Sequence, residues 1–332
     1  MSEYKGVMIF ADIIEGKLSA MATELLGCGR KLADNLGEDL AAVLPGSGIA
    51  NLAGEAIAFG ADKVYVVDDP LLQDYQTDSY AAVMAKVVQQ VSPRIILLGQ
   101  NAVGRDLAPR LAFRLGTVAV TDGVALAIDP DSKRLLTTKP VYGGNAQAIF
   151  ASESNPQIAT VRAKVMSPLA QDSSRKGEVV AIAAGLEPAM IRTKVLNKVK
   201  QEVAGIKLED APVVVSGGRG IGGAEGFKQL TELAKLLKGA VGASRPACDN
   251  GWMPDTAQVG LTGRIVTPDL YISIAISGSS QHLAGCSSSK AIVAINKDPE
   301  ANIFKVARYG VVADWKKALP AFTQKVRELL AE

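Results

Sequence analysis

Apolar runs of four to six residues alternate with longer stretches whose apolar positions recur three and four apart, as strands and helices in turn would require. In the first half, the runs at 6–11, 39–44, 63–67 and 95–98 predict strands. The stretches at 17–36, 49–59, 79–91 and 105–115 predict helices, the first through Leu18, Met21, Leu25 and Leu32. Continuously apolar strands between helices belong in a parallel sheet covered on both faces. Extended segments follow at 118–127, 135–138, 146–150 and 157–161, with Gly, Asn and Pro between them. They predict antiparallel strands that complete the sheet.

From Met166 to about Leu208 the periodicity fades and small or charged residues dominate around one further strand at 179–184. Such loosely patterned stretches connect domains. Lys194, Lys198 and Lys200 suggest a solvated helix face within the connection. The alternation then restarts with strands at 213–215, 240–243, 270–276, 291–295 and 303–306. Helices are predicted at 227–237, from 282 onward, and at 315–331. The chain thus divides into 1–207, an α/β domain with the connection, and 208–332, a second α/β domain. The fold class is α/β, built on two open, mostly parallel sheets.

The length of 332 residues agrees with two domains. Charge narrows the partners. Lys and Arg number 36 against 34 Asp and Glu, with 14 basic and 12 acidic residues in 208–332. Neither part carries the positive excess of a nucleic-acid binder. No stretch approaches the ~18 apolar residues that cross a bilayer, and the start lacks a signal-peptide pattern. A cytoplasmic protein without direct membrane insertion is expected. Three cysteines without a close pair and the single histidine, His282, leave no metal site to expect. Cys248 and Cys286 read as packing residues.

Candidate chemistry gathers in the second half. Gly218-Arg219-Gly220-Ile221-Gly222-Gly223 matches G-x-G-x-x-G between a predicted strand and helix, the context in which such a turn cradles a pyrophosphate. A glycine-rich turn without a ligand is the alternative, and no acidic residue ends the next strand to clasp an NAD ribose. Ser277, Gly278, Ser279, Ser280, Gln281 and His282 follow another strand, offering hydroxyls and N–H groups at its carboxyl end. Helix capping by Ser277 or Ser279 is the plainer reading. Ser244 and Arg245, the loop Gln258-Val259-Gly260-Leu261-Thr262, Asn296, and Asp314 beside Trp315 share the same kind of address. Five loops of one sheet present small, polar or cationic groups where strands end.

The stretch from Leu270 to Gly285, with Ser277-Gly278-Ser279-Ser280-Gln281-His282 at its centre, closely resembles the hallmark of the electron-transfer flavoprotein alpha subunit. The stretches Ser216–Gly220, Ser244-Arg245, 259–263, 291–303 and 310–314 are similar too. Gly104-Arg105-Asp106-Leu107-Ala108-Pro109-Arg110 resembles that family's adenine-nucleotide-hydrolase-like domain. The resemblance implies an FAD in the C-terminal, Rossmann-like domain and a heterodimer with a beta subunit. It implies FAD contacts from Arg219, Gly220, Ser244, Arg245, Gln258, Val259, Gly260, Leu261, Thr262, Ser277–His282, Asn296, Asp314 and Trp315. Leu261 stands where the family usually has glutamine, and Ala275 where it usually has Gly or Ser. No residue is assigned as catalytic. The function implied is electron carriage between a flavin-dependent dehydrogenase, such as an acyl-CoA dehydrogenase, and a downstream acceptor. Some members act with their beta subunit as NADH-dependent, electron-bifurcating oxidoreductases. The resemblance also implies that the C-terminal domain pivots near 196–208. A stand-alone NAD-dependent dehydrogenase and a nucleotide-binding sensor are the other readings of the residues.

Overall fold

The computed structural model describes residues 4–144, 146–198 and 206–331. They form two compact units, each an α/β sheet with its own core. In the first, the order along the chain is β1 (Val7–Phe10), β2 (Ile13–Ile14), β3 (Lys17–Leu18), α1 (Ala20–Leu36), β4 (Leu40–Gly46), α2 (Ala53–Ala58), β5 (Lys63–Asp68), α3 (Thr77–Val91), β6 (Ile95–Gly99) and α4 (Ala102–Leu115). Then come β7 (Ala119–Gly123), β8 (Ala125–Ile128), β9 (Leu135–Val141), β10 (Ala146–Ala151), β11 (Gln157–Val161) and β12 (Glu178–Ala181).

Seven strands make one sheet in the order β12-β5-β4-β1-β6-β11-β7. Successive side chains of β1 enter opposite cores: Val7 and Ile9 on one face, Met8 and Phe10 on the other. That is why the strands read as unbroken apolar runs. Ser19 starts α1 by accepting from the Ala22 N–H at 3.0 Å, and Gly37 ends it at φ 66°.

The expected antiparallel completion of this sheet is corrected. β7 and β11 join it in parallel, while β8, β9 and β10 form a separate three-stranded sheet, β8 and β9 pairing antiparallel. The predicted strand at 118–127 breaks because Asp122 adopts φ 67° and Gly123 passes tightly under Thr137. Arg162 clamps the turn through two bonds to the Asp122 carboxylate, at 2.9 and 2.7 Å. The strand expected inside the connection is β12, parallel to β5 at the sheet edge. The expected helix face at 194–200 is also corrected. Residues 191–198 are irregular, with Arg192 paired to Asp78 and Lys198 to Asp74. Lys200 and most of the expected pivot at 196–208 lie outside the described residues.

The second unit runs β13 (Val213–Gly217), α5 (Ala224–Leu236), β14 (Ala240–Ala243), α6 (Arg245–Asp249), β15 (Leu270–Ile274), α7 (Ser280–Cys286), β16 (Ala291–Asn296), β17 (Tyr309–Val312) and α8 (Trp315–Ala331). Its five strands are all parallel, in the order β14-β13-β15-β16-β17. One face buries Val215, Ile272 and Ile295 against Phe227 and Leu230 of α5 and Leu319 of α8. The other buries Val214, Tyr271 and Ile292 with Cys286 of α7. The strand expected at 303–306 is a 3₁₀ turn, Asn302–Lys305, which places Ile303 in the core; the last strand lies a few residues later.

Candidate functional site

In the second sheet the chain steps from β13 to β14 on one side and returns to β15 on the other, so strand order reverses between β13 and β15. Open α/β sheets bind ligands outside the carboxyl ends of strands at such a point. Here the two strands come close enough to need glycine. Gly218 donates to the Ile274 carbonyl at 2.9 Å, and a Cβ on Gly218 would stand 2.1 Å from the Ala275 oxygen. Ala275 itself lies at φ 53°, in the left-handed region. The G-x-G-x-x-G turn is therefore partly a packing device. It still leaves Arg219, exposed and without an ion pair among the described residues, at the mouth of the reversal.

Further segments lie at the strand ends of the same sheet. Ser244, after β14, is the N-cap residue of α6, yet its buried Oγ makes no cap bond and has no partner among the described residues. Arg245 is largely exposed, with one long contact to Asp249 at 3.5 Å. The loop from Gln258 to Thr262 is pinned at both ends. Val259 donates to the Ala243 carbonyl at 2.9 Å and Leu261 to the Gln281 carbonyl at 2.7 Å. Within it, Gln258 Nε2 donates to Thr262 Oγ1 at 3.0 Å, and the Leu261 side chain is exposed. Gly260 backs directly onto Gly285 of α7, where a Cβ would stand 2.4 Å from the Gly260 nitrogen. Two glycines are needed because backbone meets backbone there.

The residues Ser277–His282 lead from β15 into α7. Gly278 turns at φ 81° against the Ile303 backbone. Ser279 occupies the N-cap position, but its hydroxyl makes no cap bond, so the expected capping role is corrected. The first N–H groups of a helix have no partner inside it. Here no serine side chain replaces one.

His282 differs from an exposed sensor. It is buried, and its Nε2 lies 2.9 Å from the Tyr271 hydroxyl. Its Nδ1 has no hydrogen-bond partner among the described residues. Burial pushes its pKa down to about 4, only partly opposed by the Val259 backbone. The imidazole is neutral at pH 7 and adds no positive charge, and its Nδ1 is a donor or an acceptor according to the tautomer.

Three of the residues expected at the site also make hydrogen bonds within the fold. Asn296 donates to the Ile276 carbonyl at 2.8 Å and accepts from Asp298 N at 3.0 Å, tying two loops together. Asp314 caps α8 by accepting from Lys316 N at 2.9 Å. Trp315 is buried against Ile221 and Phe227, its indole N–H donating to the Gly220 carbonyl at 3.1 Å. These side chains hold loops in place. The cysteines do pack: burial pushes the Cys286 thiol up to about 12 and Cys248 to about 11, so neither is a thiolate.

Sequence reading missed Tyr271 and the buried hydroxyls of Ser216 and Ser273 as candidates for the site. Tyr271 and Ser273 alternate in an otherwise apolar strand, and Ser216 stands opposite Ser273 in the register. That shared face was the available signal.

The geometry defines an α/β protein whose second unit reverses its strand order between β13 and β15, with polar and cationic loops at the strand ends. Comparison with known proteins specifies the class. Residues 7–186 match the electron transfer flavoprotein domain and residues 207–287 the electron transfer flavoprotein FAD-binding domain. The chain is 47% identical to the electron transfer flavoprotein subunit alpha of Thermoanaerobacterium thermosaccharolyticum, covering 99% of this chain and 100% of that one. It is 45% identical to the subunit alpha of Megasphaera elsdenii, over 99% and 98% of the two chains, and 41% identical to Protein FixB of Clostridium saccharobutylicum, over 100% and 99%. The chain belongs to the electron transfer flavoprotein alpha-subunit family, and FAD is the cofactor its second domain implies.

The residues present fit that group. A dinucleotide needs N–H donors for phosphates, cations for charge and a polar contact for the flavin ring. The unmet Ser244 Oγ and His282 Nδ1, the uncapped start of α7 and the exposed Arg219 and Arg245 supply them.

Proposed function

We propose that this chain holds FAD at the carboxyl edge of its second sheet, pairs with a beta subunit, and carries electrons from a flavin-dependent dehydrogenase to a downstream acceptor. The observation that supports this most is the unmet His282 Nδ1 in a domain matched to FAD binding. FAD, when bound, supplies the centre that takes up and releases electrons; the protein binds it and sets its electrostatics.

On this reading Arg245 and His282 meet the flavin ring, Arg245 as an exposed cation and His282 as a neutral donor. Thr262 holds Gln258 in line at the same edge. Arg219 and the N–H groups from Gly278 to Gln281 hold the pyrophosphate, since a helix start carries partial positive charge. Asn296 and Asp314 shape the adenosine side, Asn296 through the two loops it ties and Asp314 at the start of α8. No group of the site is a thiolate nucleophile or a metal cluster, and none of the described residues forms a metal-binding group. An acyl-CoA dehydrogenase as donor, and electron bifurcation with NADH, are narrower versions that depend on the other chain.

Co-purification with the beta subunit and a flavin count per heterodimer test the proposal. At least one FAD is expected, lost when Arg219 and Ser244 are both replaced by alanine. A colourless heterodimer that takes up no added FAD would overturn it.

A further inference from the structure

The contact between Tyr271 and His282 joins two different chemistries: a phenol, a weak acid, and an imidazole nitrogen, a good base. Tyr271 is fully buried in β15, under α7, and its hydroxyl lies 2.9 Å from Nε2. The other groups beside that hydroxyl are Cys286 and Ser216. A thiol and an alcohol are weaker acceptors than a neutral imidazole nitrogen. Among the described residues no carboxylate or cation contacts the pair. The phenol therefore donates, and Nε2 must be the unprotonated nitrogen.

We infer that Tyr271 is a positioning residue that fixes the tautomer of His282, so that the only proton on the ring sits on Nδ1, on the side of the Gln258–Thr262 loop. This rests on the reading that FAD occupies the crevice, and it deepens that reading. A hydrogen bond to one ring nitrogen decides what the other can do. With Nδ1 protonated, the imidazole presents a donor to a carbonyl or anionic edge of a flavin. With the proton on Nε2, it would present a lone pair to the same edge and repel it. Tyr271 touches no ligand in this arrangement and acts through the histidine alone.

Because the chain has one histidine, the tautomer is directly readable. The full chain would be produced with ¹⁵N-histidine and its ring nitrogens recorded at pH 7, before and after saturation with FAD. The expected spectrum shows a protonated Nδ1 and an unprotonated, hydrogen-bonded Nε2, already without FAD. A protonated Nε2 in the unsubstituted protein would overturn the inference without touching the question of FAD binding. Tyr271→Phe removes one oxygen from a buried ring, so the fold should persist, and the ring signals should move toward the Nε2–H form. FAD affinity should fall about tenfold, the scale of one good buried hydrogen bond. In a His282→Gln background the same change should have no further effect on affinity, since coupled residues are not additive. An unchanged tautomer in Tyr271→Phe, or an undiminished affinity loss in the His282→Gln background, would refute the assignment. If the tautomer behaves as expected but the unsubstituted chain and its heterodimer take up no FAD, the cofactor reading fails and the tautomer lock stands.

Discussion

At the scale of single residues, similar side chains do different work. Ser19 and Ser279 both stand before a helix, but only Ser19 accepts a backbone N–H. Replacing Ser19 by alanine should cost about 1 kcal/mol of stability. Replacing Ser279 should cost less than half of that in the cofactor-free protein while weakening FAD binding. Chemical denaturation with a flavin titration checks both, and equal stability losses would count against a ligand role for Ser279. Arg245 makes one long contact and is mostly exposed, so its charge remains available to a flavin gaining electrons. Arg245→Ala should lower the flavin potential by on the order of 10–30 mV, up to about 1.4 kcal/mol for a two-electron couple. Spectroelectrochemistry of the heterodimer measures this, and an unchanged or raised potential removes Arg245 from the ring's surroundings.

At the scale of elements, the site depends on backbone approaching backbone. Gly285 lets α7 lie against Gly260, and Gly218 lets the turn after β13 lie against Ala275. Gly285→Ala should destabilise the protein by about 1–3 kcal/mol through overpacking and cut FAD affinity more than tenfold, because the Gln258–Thr262 loop must shift. Thermal unfolding and flavin fluorescence report the two effects separately. The elements themselves were largely legible, since strands covered on both faces leave unbroken apolar runs and the helices carry a clear 3.6-residue spacing. What sequence could not show was direction and partnership. The run at 118–127 is apolar on both sides of Thr121-Asp122-Gly123, yet the turn at Asp122 and Gly123 splits it between two sheets. The apolar run at 303–306 buries Ile303 from a 3₁₀ turn, because one turn can fill a core gap as well as a strand can. In the site, the loops and their common edge were readable from polar residues after apolar runs. Which polar groups were already engaged was not, because the partners of Asn296 and Asp314 are backbone groups that any residue carries. His282 was visible as the lone histidine; its burial beside Tyr271, eleven positions earlier, depended on the helix folding back over its own strand.

At the scale of the whole molecule, each unit buries a group whose ionisation near neutral or mildly acidic pH opposes folding, with opposite signs. Burial raises the pKa of Asp12 in the first unit to about 6, with Asn101 partly opposing, and lowers that of His282 in the second to about 4. Between about pH 6.5 and 4 the unfolded chain binds a proton at His282 that the native chain refuses, so that stability is lost as pH falls. Between about pH 4 and 6 the native chain holds a proton on Asp12 that the unfolded chain releases, so that stability is gained as pH falls. Going from pH 7 to 5, His282 should destabilise its unit by about 2 kcal/mol and Asp12 should stabilise its unit by about 1 kcal/mol. Calorimetry at the two pH values should show this as a changed separation of unfolding transitions, reduced in His282→Gln and in Asp12→Asn; identical separations in all three proteins would remove both groups as its source.

Both tryptophans, Trp252 and Trp315, belong to the second unit, and Trp315 is bonded to the carbonyl of Gly220 in the glycine turn. Indole emission is therefore a built-in optical reporter of that unit alone, blind to the first. Its overlap with flavin absorption would let energy transfer signal the cofactor's arrival without any attached dye.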